Sequence, residues 1–314
     1  ANTKKMLFDE NGIDFSNWKE KLTQAEEKSD VSQFVNRMKK LNLSNTIFID
    51  NTASDHVSNF YETILDYSIS ISTPNKIATS SAYLQYQRLK TIANKRGVQF
   101  LYETNVGAGL PVITTLSDLI NSGDQILKIE GVLSGSLSFI FNSYKEGIKF
   151  SDIVKEAKAR GFTEPDPRVD LNGIDVRRKL IILARETGLP LEAKDVEIEN
   201  ILPPKVRDAE TVEQFFEELE KADDYFEKLR TKAAKENKAL RMIASLENGN
   251  AKIGLQAVEA NHPFYSLSGS DNMIVFTTER YKERPLVVRG PGAGAEVTAA
   301  GVFAEIISIG NFLS

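Results

Sequence analysis

The sequence predicts an α/β protein with a parallel sheet in its first third and a second, α+β domain after it. Three observations lead to this prediction. Short β-rich stretches alternate with helix-like stretches between about residues 44 and 104, at the spacing of βαβ units. From about residue 124 onward, helices and then longer strand-like runs replace this alternation. Hydrophobic residues make up 41% of the 314 residues and charged residues 26%, so the chain is long and apolar enough for two cores.

The first unit contains three predicted strands, at 45–50, 67–72 and 98–103. Helices are predicted within 9–40 and at 55–66 and 80–96. Trp18 is expected to anchor the first of these segments. Strands joined by helices of this length form parallel βαβ units with right-handed crossovers. Ligands bind beyond the carboxyl ends of such strands, so we expect a site formed by 50–54, 73–76 and 103–109.

The second unit opens with a strand in QILKIEGV and a helix in SLSFIFNSYKEG. Further helices are predicted around 151–160, 174–187 and 209–236, and strands at 240–246, 252–259, 273–279 and 285–289. The chain then reaches GPGAGA at 290–295, which matches G-x-G-x-x-G/A. Only 19 residues follow Ala295, too few for the βαβ unit that a dinucleotide fingerprint opens. Close approach to a ligand and helix–strand packing both remain open for this loop.

Composition excludes several classes of function. The net charge of −5 and pI of about 5.4 argue against a nucleic-acid binder. No run approaches the roughly 18 apolar residues of a membrane helix, so we expect no membrane span. Cysteine is absent, which excludes disulfides and thiolate chemistry and fits a cytoplasmic protein. With two histidines in the sequence, acid–base chemistry falls to Lys, Asp or Glu.

The strongest candidate site lies at 161–179. Two prolines stiffen its first part, so Glu164 and Asp166 lie on an extended loop. A helix starting near residue 172 places Asp175 and Lys179 four residues apart on one face. An exposed ion pair is one interpretation. A partly buried lysine that acts as a general acid/base is the other.

Two further stretches are candidates. Thr73-Pro74-Asn75-Lys76 follows a strand, where a lysine can reach a phosphate, a carboxylate or a substrate oxygen, or can simply be exposed. The stretch 102–111, YETNVGAGLP, offers one carboxylate and several carbonyls. It could hold a hard cation or form a plain strand–helix turn.

These motifs together resemble homoserine dehydrogenase, in the form found in the C-terminal half of bifunctional aspartokinase–homoserine dehydrogenases. The stretches are STPNK, YETNVGAGLPVI, GVLSGSLSFIF, GFTEPDPRVDLNGIDVRRKLIILARE and GPGAGAEVTAAGV, in the family's order and over nearly the whole chain. The resemblance implies NAD(P)-dependent interconversion of L-homoserine and L-aspartate 4-semialdehyde. It also implies an incomplete Rossmann-like domain at 1–111 and 285–314, and a substrate-binding and dimerisation domain at 112–284.

Residue roles also follow from the resemblance. Lys179 would be the general acid/base, Lys76 an assisting lysine near substrate and nicotinamide, and Asp170 a support for Lys179. Glu164, Asp175 and Lys76 would bind homoserine. The implied contacts to NADP or NAD are Thr52, Ser54, Lys76, Gly161 and Gly292. The implied Na⁺ site consists of Glu103 with Val106, Ala108 and Leu110. A homodimer is implied as well.

No G-x-G-x-x-G follows a first strand in this sequence. We therefore expect the first strand, glycine-rich turn and first helix of the nucleotide-binding domain to be absent, and cofactor affinity and activity to be low. A non-catalytic dimerisation or structural fragment is the alternative. An aspartate-semialdehyde dehydrogenase is excluded because its acyl chemistry needs a cysteine.

Overall fold

The structure, a computed structural model, describes residues 1–313 and contains two β-sheets. Its strands are β1 (Ile47–Ile49), β2 (Ser70–Ser72), β3 (Phe100–Leu101), β4 (Ile126–Val132), β5 (Val196–Ile198), β6 (Ala239–Glu247), β7 (Asn250–Val258), β8 (Asp271–Thr278) and β9 (Leu286–Pro291). Its helices are α1 (Trp18–Gln24), α2 (Val31–Leu41), α3 (Asp55–Ser58), α4 (Tyr61–Asp66), α5 (Lys76–Ser80), α6 (Tyr83–Arg96), α7 (Ile113–Asn121), α8 (Gly135–Ser143), α9 (Phe150–Ala159), α10 (Arg168–Leu171), α11 (Ile174–Glu186), α12 (Pro204–Arg207), α13 (Val212–Lys221), α14 (Asp223–Lys235) and α15 (Ala295–Leu313).

The first sheet has the order β1-β2-β3, and both strand pairs are parallel. This confirms the βαβ prediction, although each strand is shorter than its apolar pattern suggested. Ile71 and Phe100 are buried between the strands and α4, whose Tyr61 is fully buried. Because the strands are parallel, their carboxyl ends lie on one edge of the sheet. That edge carries the polar residues that follow β1 and β2.

The second sheet has the order β5-β7-β6-β4-β8-β9 and is antiparallel except at β5. Asn248 and Gly249, both at positive φ, form the two-residue turn between β6 and β7. The sheet is buried on both faces. Helices α8 and α11 cover one face, and the segment 259–268 covers the other, where Phe264 and Leu267 pack on Ile243.

The N-terminal segment differs from the prediction made for it. It forms two short helices, and Trp18 is 41% exposed, so the expectation that Trp18 anchors the segment is wrong. Phe34 of α2 makes the aromatic contact with the first sheet instead, with its ring 6.2 Å from that of Phe48. A single tryptophan is not by itself a marker of burial, because its large ring is often left partly exposed.

The boundary expected at residue 285 is also corrected. Strand β9 pairs antiparallel with β8 along its whole length, so it belongs to the second sheet. The chain returns to the first sheet only with α15, whose Glu305 bonds to Ser72 of β2. Sequence pattern identified the strand but could not choose its partner, because pairing depends on residues far apart in the chain.

Helix α15 is long and apolar enough to cross a membrane over Ala295–Phe312, judged by length and composition alone. The expectation that no stretch of the chain reaches this level is wrong. Glu296 and Glu305 are the two charged residues within this otherwise uncharged stretch. In the fold, Val302, Glu305 and Ile309 are the buried residues of this window's inner face, and 17% of the window is buried.

Candidate active site

Helix α11 carries the two central side chains of the site. It begins at Ile174, whose N–H donates to Oδ1 of Asn172 at 2.8 Å. The i,i+4 spacing brings Nζ of Lys179 to 2.7 Å from Oδ2 of Asp175. Apolar residues of α11, including Leu180 and Leu183, are fully buried, and the helix packs against the second sheet and against α5 and α7.

Lys179 is 8% exposed, so the interpretation as an ordinary surface ion pair is wrong. Its ammonium also donates to the carbonyl of Leu133 at 2.7 Å. Leu133 directly follows β4, and no sequence pattern marked its carbonyl as a partner of the lysine. The GVLSG motif contains it, but a backbone oxygen leaves no signal of its own in a sequence.

Lys76 approaches the same carboxylate from the first sheet. Its Nζ lies 3.7 Å from Oδ1 of Asp175, so two lysines from different parts of the chain share one acid. Burial lowers the pKa of Lys76, and the charge of Lys179 lowers it further, while Asp175 opposes both. Partial burial raises the pKa of Asp175, but Lys179 and Lys76 together hold it below its usual value. The carboxylate is therefore ionised near neutral pH.

A buried network behind β1 positions Lys76. Asp50, 2% exposed, accepts hydrogen bonds from the hydroxyl of Tyr61 at 2.6 Å and from the amide of Asn75 at 3.0 Å. Thr73 donates to the carbonyl of Asp50 at 2.8 Å. Asn75 in turn caps α5 by accepting from its second N–H. The turn that presents Lys76 is thus held from both strand ends. The sequence placed Asp50 within the expected site at 50–54, but it did not single out Tyr61.

The loop before α11 is organised by Asp170. Its Oδ2 accepts from the N–H of Glu164 at 2.9 Å, and its Oδ1 accepts from the hydroxyl of Ser136 at 2.7 Å. No hydrogen bond or ion pair among the described residues joins Asp170 to Lys179. Asp166 pairs with Arg168, whose hydrogen bonds are the main reason that the pKa of Asp166 is lowered. The side chain of Glu164 is exposed.

The residues expected to meet the cofactor come from several parts of the fold. Thr52 is exposed at the end of β1, and the carbonyl of Ser54 accepts from Asn75 at 3.0 Å. Gly161 faces open space. Gly292, in contrast, is buried against Asn272, and a Cβ atom there would lie 2.0 Å from the Cγ of Asn272. Its lack of a side chain therefore serves packing as well as any ligand contact.

Glu103 caps α7, the helix that follows the stretch 102–111. Its carboxylate accepts from the N–H groups of Val112, Ile113 and Thr114 and from the hydroxyl of Thr114. Each oxygen thus has two donors, which fills the four acceptor positions of a carboxylate. Glu103 as it stands does not fit a sodium ion, because a cation would have to displace these donors from the helix N-terminus.

Comparisons with known proteins agree with the site's motifs. A family model described as homoserine dehydrogenase matches residues 111–307, and one described as homoserine dehydrogenase, NAD binding domain, matches residues 4–103. A chloroplastic bifunctional aspartokinase/homoserine dehydrogenase of Zea mays is 42% identical over 98% of this chain, which spans 34% of that protein. A homoserine dehydrogenase of Schizosaccharomyces pombe is 43% identical over 95% of this chain and 81% of its own length.

The fold also matches a solved structure closely. A Candida auris protein described as of unknown function superposes with a TM-score of 0.93 and 38% identity, over 98% of this chain and 88% of that one.

Proposed function

Because the chain belongs to the homoserine dehydrogenase family, we propose that it interconverts L-homoserine and L-aspartate 4-semialdehyde with NADP or NAD. The observation that carries the proposal is the centre formed by Lys179, Asp175 and Lys76. It joins a helix of the second unit to a strand end of the first. Oxidation of a primary alcohol needs both a proton acceptor and a hydride acceptor at one carbon.

Lys179 is the proton acceptor in this proposal. In its neutral form, Nζ removes the proton of the substrate's terminal hydroxyl while the hydride leaves the same carbon, so an alcohol becomes an aldehyde. In the reverse direction the ammonium of Lys179 returns the proton to the forming alkoxide. Lys76 shares Asp175 with Lys179, and repulsion between the two ammonium groups contributes to the lowered pKa of Lys76.

Asp175 and Glu164 would receive the substrate's ammonium group. Asp175 already holds Lys179 at 2.7 Å, so an incoming ammonium group competes with the lysine for that carboxylate. A carboxylate that holds the substrate no longer holds Nζ of Lys179, which is then free to turn towards the substrate hydroxyl. Asp170 acts by holding the backbone of Glu164 in place.

The nicotinamide nucleotide supplies the hydride acceptor when it is bound. The NAD binding domain match and the polar carboxyl edge of the first sheet support this cofactor class. Thr52 and Ser54 at the end of β1, Lys76, Gly161 and Gly292 are the residues that we propose line it. We propose no Na⁺ site at Glu103, Val106, Ala108 and Leu110, because the carboxylate of Glu103 is fully engaged as a helix cap.

We further propose a homodimer formed through the second unit, residues 112–284, and a cytoplasmic location. The family resemblance supports the dimer, and the cysteine-free composition supports the location. Sedimentation equilibrium would contradict the dimer if it gave a mass near 35.0 kDa at micromolar concentration. Cell fractionation tests the location.

The proposed activity is tested by incubating the purified chain with L-homoserine and NADP⁺ and following the reduced nicotinamide by absorbance. Lys179→Ala is expected to lower kcat by about 10²–10⁴-fold, since it removes the proton acceptor. Lys95→Ala changes an exposed lysine on α6 and should leave kcat unchanged. Equal rates for the two variants would contradict the role of Lys179. A chain without turnover would contradict the proposed activity.

A further inference from the structure

Asn272, at the start of β8, is a buried polar residue next to the site that no role yet covers. It is 0% exposed, and its Nδ2 donates to the carbonyl of Leu133 at 3.2 Å. This is the same carbonyl that accepts from Lys179 at 2.7 Å. The two donors therefore share one oxygen. Among the described residues, Oδ1 of Asn272 has no hydrogen-bond partner.

The hydrogen bond to the Leu133 carbonyl fixes the orientation of the Asn272 side-chain amide. If the amide were flipped, Oδ1 would face the Leu133 carbonyl, and two acceptors would oppose each other without a proton between them. Nδ2 must therefore point at Leu133, and Oδ1 is left without a donor. An unpaired buried acceptor costs free energy. A residue kept at that cost is a candidate for a role beyond stability.

The other side of the Asn272 side chain packs on the glycine-rich loop. Asn272 pairs with Gly290 in the β8–β9 ladder. A Cβ atom at residue 292 would lie 2.0 Å from its Cγ and 2.1 Å from its Nδ2. Glycine at 292 is thus required for the amide to reach Leu133. The amide forms a direct physical link between the loop at 290–294 and the oxygen that holds Lys179.

We propose that Asn272 is a positioning residue that, by donating to the Leu133 carbonyl, limits how strongly this oxygen binds the ammonium of Lys179. Gly292 is the residue that makes room for it. A carbonyl oxygen that accepts two hydrogen bonds binds each donor more weakly than an oxygen that accepts a single hydrogen bond. Asn272 therefore favours the neutral lysine that removes the substrate proton. This inference rests on the role of Lys179 in the proposed function.

The test follows Lys179 itself, without substrate. Protein labelled with ¹³C at the lysine Cε is titrated by NMR, and the Lys179 signal is assigned by its loss in Lys179→Arg. In Asn272→Leu the carbonyl keeps the lysine as its single donor. The midpoint of the titration should move up by about half a pH unit, the effect of one modest hydrogen bond. Gly292→Ala displaces the Asn272 amide from Leu133, so it should also raise the titration midpoint of Lys179.

Asn142→Leu is the matched control. Asn142 also donates to a backbone carbonyl, that of Gly269 at 2.8 Å, and also has an unpaired Oδ1. Within the part of the chain that the structure describes, no hydrogen bond joins it to Leu133 or Lys179. An unmoved midpoint in Asn272→Leu would overturn the proposal, and so would an equal shift in the control. Homoserine oxidation by the same variants is measured separately. If the midpoint moves but the wild-type chain shows no turnover, the proposed function fails while the link between Asn272 and Lys179 stands.

Discussion

At the scale of single residues, the fold places charged groups where water cannot fully solvate them. Asp175 forms ion pairs with Lys179 of its own helix and with Lys76 of the first unit. Glu305 is the clearest case outside the active site. It is 6% exposed, and it accepts from the backbone N–H of Glu103 and from the hydroxyl of Ser72. Both donors are neutral, so burial is not offset by an opposite charge.

We expect Glu305 to make stability depend on pH. Burial, with a further contribution from the charge of Glu103, raises the pKa of Glu305 to about 7, whereas hydrogen bonds from Ser72 and Glu103 lower it only partly. The folded state therefore binds a proton more tightly than the unfolded state. Its contribution to stability is complete below the unfolded value of 4.5 and is lost as pH rises towards 7. The loss amounts to about 3 kcal/mol.

Urea unfolding at pH 4.5 and pH 8 measures this effect. Glu305→Gln cannot ionise, so it should remove most of the difference between the two pH values. Glu296→Gln, at an exposed position of the same helix, should leave that difference intact. If Glu305→Gln kept the wild-type pH dependence, the buried carboxyl would not be its source.

At the scale of elements, α11 is the part that joins the two units. Its C-terminal end carries Arg185, whose guanidinium is fully buried and donates to the carbonyls of Thr79, Ser81 and Leu191. The next residue, Glu186, accepts from the hydroxyls of Tyr86 and Tyr102. These contacts tie α11 to α5 and α6. Because Lys76 begins α5, they also set the distance between the two lysines.

We predict that Arg185→Met loosens this junction. It removes the donor from two buried carbonyls and one half-buried carbonyl, at a cost of about 3 kcal/mol or more in the free energy of unfolding. Arg185→Lys keeps the positive charge but not the several N–H donors of the guanidinium. It should therefore restore only part of the lost free energy of unfolding. Urea unfolding measures both, with Arg178→Met at an exposed position of α11 as the control. Equal destabilisation by the two methionine variants would rule out a clamp at Arg185.

At the scale of the whole molecule, the two sheets share one hydrophobic core. Ile71 of the first sheet and Ile129 and Ile274 of the second belong to the same continuous cluster of buried side chains. Helix α11 contacts α5 and α7 on one side and β6 on the other. The two units therefore cannot separate without exposing apolar surface.

This continuity predicts a single cooperative unfolding transition. Heating should change the far-UV signal of the helices and the near-UV signal of the tyrosines at the same temperature. Emission from Trp18 is a poor probe, because this side chain is 41% exposed in the folded state. Two well-separated calorimetric peaks in the wild-type chain would show that the units unfold independently and would contradict this prediction.

The sequence by itself determined the features that depend on neighbours in the chain. Alternating strands and helices predicted the parallel sheet, and its order confirms that prediction. The spacing of Asp175 and Lys179 predicted a shared helix face, since residues four apart meet in any α-helix. Motif order predicted the family, which the family models confirm over both units.

Only the tertiary structure decided the features that depend on residues far apart in sequence. It brought Lys76 to Asp175, gave Lys179 and Asn272 the same carbonyl, and used Glu103 as a helix cap. It also pairs β9 with β8, so that β9 belongs to the second sheet. A sequence pattern records which face of an element is apolar, but the partner of that face, and of each buried polar group, is chosen by long-range packing.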